Sequence, residues 1–93
     1  MIRCLIVDDS PTFRGVLKGI LSTAPGVAVV GEAGDGEEAI ARTLELTPDV
    51  ITMDVRMPKR NGLDAIKEIM RVRPTPIIVV SAAAKDASEG VSF

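Results

Sequence analysis

Ile2-Arg3-Cys4-Leu5-Ile6-Val7-Asp8-Asp9-Ser10-Pro11 decides how the rest of the chain reads. Apart from Arg3, its first six residues are apolar without alternation, the pattern of a strand covered on both faces. Asp8 and Asp9 interrupt it. Ser10 is placed to cap a helix, and Pro11 to take the first helical position, where a missing N–H costs nothing. Phe13, Val16, Leu17, Ile20 and Leu21 follow at i, i+3, i+4, i+7 and i+8, which predicts one apolar helix face. Ala24-Pro25-Gly26 ends that helix.

The same strand-then-helix unit recurs along the chain. Residues 27–31 read as a short second strand with glycine flanks, suited to a sheet edge. Asp35 is placed to cap a second helix with Ala39, Ile40, Thr43 and Leu44 inward, and Thr47-Pro48 stops it. Val50-Ile51-Thr52-Met53 is a third strand that delivers Asp54 at its end. A loop with Pro58 and Gly62 leads to a third helix with Leu63, Ile66, Ile69 and Met70 inward. Arg73-Pro74-Thr75-Pro76 breaks it, and residues 77–80 form a fourth strand ending at Ser81. Three βα units plus a strand, apolar on both faces, predict an α/β fold with a doubly wound open parallel sheet. No linker or low-complexity stretch divides residues 1–93, so one domain is expected.

Composition narrows the function classes. Of 93 residues, 46% are hydrophobic, and 11 Lys+Arg against 13 Asp+Glu leave a net charge of −2. That balance argues against a nucleic-acid binder and against a disordered tail. The longest apolar runs (residues 4–7, 27–30 and 77–80) fall far short of the ~18–20 residues that span a bilayer. Asp8 and Asp9 arrive too soon for a signal peptide. Cys4 is the single cysteine, so no internal disulfide forms and a cytoplasmic home is expected. The absence of histidine removes His-based triads and imidazole metal sites.

In a parallel sheet all strands end on one side, and ligands bind there. Asp8 and Asp9 end the first strand, Asp54 the third and Ser81 the fourth, so these residues converge if the strands are neighbours. Carboxylates gathered in this way repel by roughly 4 kcal/mol per pair ~4 Å apart at an effective ε of ~20. A divalent cation relieves the repulsion, and all-oxygen ligation points to Mg²⁺. Such a site suits phosphoryl transfer, with Asp54 as nucleophile, Asp8 and Asp9 holding the metal and Ser81 donating to a phosphoryl oxygen. Singly, an Asp at a strand–helix turn is more often a cap; the conjunction of three acids and a hydroxyl carries the reading. Lys59 and Arg60 read as solvated charges. Gly31, Gly34 and Gly36 form neither G-x-G-x-x-G nor a P-loop, which demotes nucleotide binding.

Three segments together resemble a receiver domain of two-component response regulators. They are Leu5-Ile6-Val7-Asp8-Asp9-Ser10, Val30-Gly31-Glu32-Ala33-Gly34-Asp35-Gly36-Glu37-Glu38-Ala39, and Pro48-Asp49-Val50-Ile51-Thr52-Met53-Asp54-Val55-Arg56-Met57-Pro58. The likeness is collinear over about residues 2–82. Phe13-Arg14 after Asp9-Ser10, Ile51-Thr52-Met53-Asp54-Val55 and Arg73-Pro74-Thr75-Pro76-Ile77-Ile78-Val79-Val80-Ser81 look most like the N-terminal receiver of the chemotaxis methylesterases (CheB).

The resemblance implies a flavodoxin-like, CheY-like three-layer sandwich with strand order 2-1-3-4-5. It implies that Asp54 accepts a phosphoryl group from a sensor histidine kinase, and that Mg²⁺ is held by Asp9 directly, by Asp8 chiefly through water, and by Asp54 itself. The backbone carbonyl of Arg56 is a further metal ligand by the same likeness. Ser81 takes the place of the hydroxyl that contacts the phosphoryl group, and Ala82 that of its small neighbour. An output domain is the implied target of regulation, and the likeness to CheB implies a receptor methylesterase.

Two departures stand out. Asn61 replaces the family's usual Asp before Gly62, a conservative loop change. The family pattern also continues into a further helix, a fifth strand bearing a lysine, and a last helix. Phe93 falls within the fourth helix, and Lys85 comes too early to be that lysine. With four of five strands the fourth is expected to be an exposed edge, open to self-association. Two other readings stay open at this point. An aspartate-nucleophile phosphatase places a second Asp two residues after the first, a spacing that Asp8-Asp9-Ser10 fails. A non-phosphorylated pseudo-receiver predicts no saturable Mg²⁺ binding.

Overall fold

Ile2–Val7 forms the strand β1, and its buried apolar run Cys4–Val7 matches its place inside the sheet, between two other strands. The structure is a computed structural model that describes residues 1–54 and 62–80. The elements follow as α1 (Pro11–Ser22), β2 (Val27–Ala33), α2 (Gly36–Leu46), β3 (Val50–Met53), α3 (Gly62–Val72) and β4 (Ile77–Val79). The strands lie in the order β2-β1-β3-β4, all parallel. This is the doubly wound sheet expected from the alternation.

Alternation along the strands sorts side chains between two layers of helix. Leu5, Val7, Ala33, Ile51 and Met53 share one core with Ala39 of α2 and with Ala65 and Ile69 of α3. Cys4, Ile6 and Thr52 point to the opposite face. Glu32 belongs to that face too: it is paired in register with Ile6 and is reached by Arg14 and Lys18 of α1. One helix therefore covers the sheet from one side and two from the other.

The helix starts obey local chemistry. Ser10 Oγ accepts from the Phe13 amide at 3.1 Å, with Pro11 at the start of α1. Asp35 Oδ1 accepts from the Glu38 amide at 2.8 Å, and Glu38 Oε1 reaches back to the Gly34 amide. Such caps each contribute about 1 kcal/mol. At the opposite edge, Asp49 locks β1 to β3: its amide donates to the Arg3 carbonyl and its carboxylate accepts from the Arg3 amide, both at 2.8 Å.

Several sequence expectations need correction. The second strand runs on to Ala33, because an irregularity between Cys4 and Leu5 in the pairing absorbs one residue and lets Gly31 stay in the ladder. A Cβ at Gly31 would sit 2.5 Å from Leu46 Cδ1, so any larger residue there would force the tip of the Leu46 side chain to move. Leu44 is exposed and Leu46 takes the inward place in α2; Leu63 and Met70 are exposed, whereas Ala65 and Ile69 are buried. Small residues at the contact let both helices lie close to the sheet and to each other. In α1, Phe13, Leu17 and Leu21 are half-buried, but Val16 and Ile20, one turn apart, stay exposed. That stripe faces solvent.

Candidate functional site

Three strand ends meet at one edge. The Asp8 amide donates to the Ala33 carbonyl, and the Asp54 amide to the Val7 carbonyl, both at 3.0 Å. These bonds extend the ladder by one residue past Val7 and Met53, which are register partners. Asp8 and Asp54 consequently leave the sheet side by side. Each is essentially fully buried, while Asp9, the first residue of the turn, is exposed. One carboxylate oxygen from each of Asp8, Asp9 and Asp54 lies within 4.8 Å of the other two. The convergence expected from the sequence is realised for all three acids.

The electrostatics of this edge favour a hard cation. At such separations each charged pair costs on the order of 3 kcal/mol at an effective ε of ~20. The donor set is all oxygen, which suits Mg²⁺ rather than zinc. Across an ideal Mg²⁺ octahedron, opposite ligand oxygens stand roughly 4.2 Å apart. The cluster is of that dimension, with room for part of the set to act through water. The residues present fit the ion.

Ser81, Arg56 and Ala82 lie outside the described residues, as do Pro58, Lys59, Arg60, Asn61 and Lys85. β4 does approach the site: the Val80 amide donates to the Met53 carbonyl at 2.8 Å, directly before Asp54.

In the sequence Arg14 and Glu32 stand only as members of the segments that carry the resemblance, with no role assigned to either. In the structure Arg14 Nη1 donates to the Asp8 backbone carbonyl at 2.6 Å, and its Nε to Glu32 Oε1 at 3.0 Å. The available signal was a glutamate inside an otherwise apolar strand, opposite a helix that carries Arg14 and Lys18 one turn apart.

Comparison with known proteins agrees with the geometry. The family model for the response regulator receiver domain matches residues 4–92. The chain belongs to the response regulator receiver family. Its fold is the CheY-like receiver fold, here with four parallel strands and three helices described. Among solved structures it is similar to the response regulator domain of CheB from Thermotoga maritima, at 52% identity and a TM-score of 0.87, over 88% of this chain and 61% of that one. It is also similar to a chain of the CheX-CheY-BeF3-Mg complex from Borrelia burgdorferi, at 31% identity and a TM-score of 0.82, over 94% of this chain and 66% of the other. Among curated proteins it is 50% identical over 82 residues to a protein-glutamate methylesterase/protein-glutamine glutaminase from Agrobacterium fabrum, which covers 88% of this chain. The receiver spans only 23% of that relative's length. No helix among the described residues is long and apolar enough to cross a membrane.

Proposed function

We propose that this receiver takes a phosphoryl group on Asp54 from the phosphohistidine of a sensor histidine kinase, and that the acyl phosphate controls an attached output domain. The single observation that carries the reading is the approach of Asp8, Asp9 and Asp54 to within 4.8 Å at the ends of two paired strands. A carboxylate oxygen of Asp54 attacks phosphorus, the P–N bond to the donor imidazole breaks, and the imidazole leaves with the bonding pair and takes up a proton. Bound Mg²⁺ supplies charge neutralisation for the transferring group. Asp8 and Asp9 hold that ion beside Asp54, with the Arg56 backbone carbonyl as a further ligand. Ser81 donates to a phosphoryl oxygen.

The likeness to methylesterase relatives supports a chemotaxis role, with a receptor methylesterase as the output domain. We further infer that the 93-residue polypeptide by itself associates with a second copy along β4. The phosphatase alternative lacks its second Asp at the required spacing, and no observation favours it.

The test is phosphorylation with a small phosphodonor such as acetyl phosphate in the presence and absence of Mg²⁺. Uptake should require the ion and vanish in Asp54→Asn. Retained uptake by Asp54→Asn removes the assignment of the acceptor.

A further inference from the structure

We propose that Arg14 is a positioning residue for the acid cluster: it pins the Asp8–Asp9 peptide through the Asp8 carbonyl and is itself held in place by Glu32. The proposal rests on the Mg²⁺ reading of the cluster given above.

The geometry supports it bond by bond. Arg14 stands one helical turn beyond Ser10 and donates its own amide to the Ser10 carbonyl at 3.0 Å. Its side chain turns back to the Asp8 carbonyl at 2.6 Å, so the turn that carries Asp9 is closed from both ends. A peptide group is planar, and fixing the Asp8 oxygen fixes the plane from which Asp9 departs. Asp8 is otherwise anchored at its amide, by Ala33, and at Oδ1, by the Ser10 amide at 2.9 Å. Asp9 is exposed, and the direction in which its backbone leaves this peptide bounds where its carboxylate can reach.

Glu32 supplies the other half. It stands on β2, and its Oε1 receives Arg14 Nε at 3.0 Å, leaving Nη1 aimed at Asp8. The Arg14 side chain is only 19% exposed. The fork geometry of a guanidinium serves two acceptors at once, which an ammonium does not reproduce. Lys18 meets Glu32 at 3.5 Å from a far more exposed position.

A simple charge effect has the opposite sign, which makes the proposal decidable. A cation near the acids repels Mg²⁺, so removing it should tighten binding. A positioning role requires that binding weaken. Outer-shell partners of metal sites contribute roughly 10–100-fold to affinity.

Mg²⁺ titrations by calorimetry on the full chain, well below its melting temperature, separate these cases. Arg14→Gln should weaken Mg²⁺ binding about tenfold, the lower end of that range. Arg14→Lys, which keeps the charge but loses the fork, should weaken it as well. Lys18→Gln, which removes a cation that does not reach Asp8, should leave the affinity unchanged. In the metal-free state, the NMR signals of the Asp8 carbonyl and Asp9 amide should move in both Arg14 variants. Affinity that is equal or tighter in Arg14→Gln overturns the proposal; should that variant not fold, Arg14→Lys decides by the same criterion. If the unaltered chain shows no saturable Mg²⁺ binding, this inference and the proposed function fall together. If it binds and Asp9→Ala abolishes binding while the Arg14 variants bind normally, only this inference falls.

Discussion

The Asp54 amide donates to the Val7 carbonyl across 3.0 Å, and that bond sets the whole functional edge. Val7 and Met53 are register partners, so the first residues beyond them, Asp8 and Asp54, emerge together. A slip of one residue would turn Asp54 to the opposite face of the sheet. The apolar matching of Leu5 with Ile51 and Val7 with Met53 prevents it, because those side chains share one core.

Crowding of carboxylates implies a stability that depends on the ion. Asp9→Ala removes the exposed member of the cluster. Without metal the variant is expected to be more stable than the unaltered chain by about 1 kcal/mol, a value reduced by solvent screening. Urea unfolding with and without Mg²⁺ measures both effects. The ion should stabilise the unaltered chain and do nothing for Asp9→Ala; equal stabilisation of both would contradict the assigned ligand.

Cys4 gives a pH dependence whose sign is fixed by burial. The thiol is 2% exposed, and desolvation raises its pKa above the ordinary value, only partly offset by a backbone hydrogen bond with Thr52. The folded chain therefore holds this proton more tightly than the unfolded one. Stability from this group is fully present below the unfolded thiol pKa of ~8.5 and is lost as pH rises through the folded value. Denaturation midpoints should decline in alkali more steeply for the unaltered chain than for Cys4→Ala. Thiol labelling with Ellman's reagent should be slow at pH 8 until urea is added, and prompt labelling of the native chain would refute the burial argument.

Thr47 carries backbone strain. It caps α2 with φ at 45°, in the left-handed region, where a β-branched residue is rare. That conformation costs about 1–2 kcal/mol for an L-residue, while glycine adds up to about 1 kcal/mol of unfolded-state freedom. Thr47→Gly should thus stabilise the chain by about 0.5–1 kcal/mol. The Thr47 carbonyl, which accepts from Arg3 Nη1 at 2.9 Å, is retained in the variant. Urea unfolding with an unchanged m-value checks it; a loss of stability would mean that the threonine side chain holds a contact worth more than the strain.

Much of this was legible in the sequence, and for physical reasons. Strands that are apolar on both faces announce a covered parallel sheet, and a parallel sheet forces Asp8, Asp9 and Asp54 to one edge. Part of the inward face was legible too: Ala39 and Ile69 turn inward as expected. What could not be read was that Leu44, Leu63 and Met70, which fit the helical period equally well, stay exposed while Ala65 and Leu46 pack inward. That choice depends on how closely α2 and α3 approach each other, a tertiary quantity with no local signature. The Arg14–Glu32 brace was hidden similarly, since its partners are 18 residues apart and meet only through the layering of α1 on β2.

The edge at β4 leads to the last expectation. Ile78 and Val79 are 58% and 51% exposed, and among the described residues β4 pairs only with β3. Val16 and Ile20 add an exposed apolar stripe on α1. An apolar strand whose edge is left unpaired invites pairing with another chain. The 93-residue polypeptide should therefore sediment as a concentration-dependent mixture of monomer and dimer. Ile78→Lys places a charge on that strand and should shift the mixture to monomer, because an edge lysine must be desolvated when a second strand adds. The substitution should leave the fold intact, as Ile78 lies outside the core shared by Leu5, Val7, Ile51 and Met53. A compact monomer at every concentration, for the unaltered polypeptide, would show that this edge is already covered within the chain.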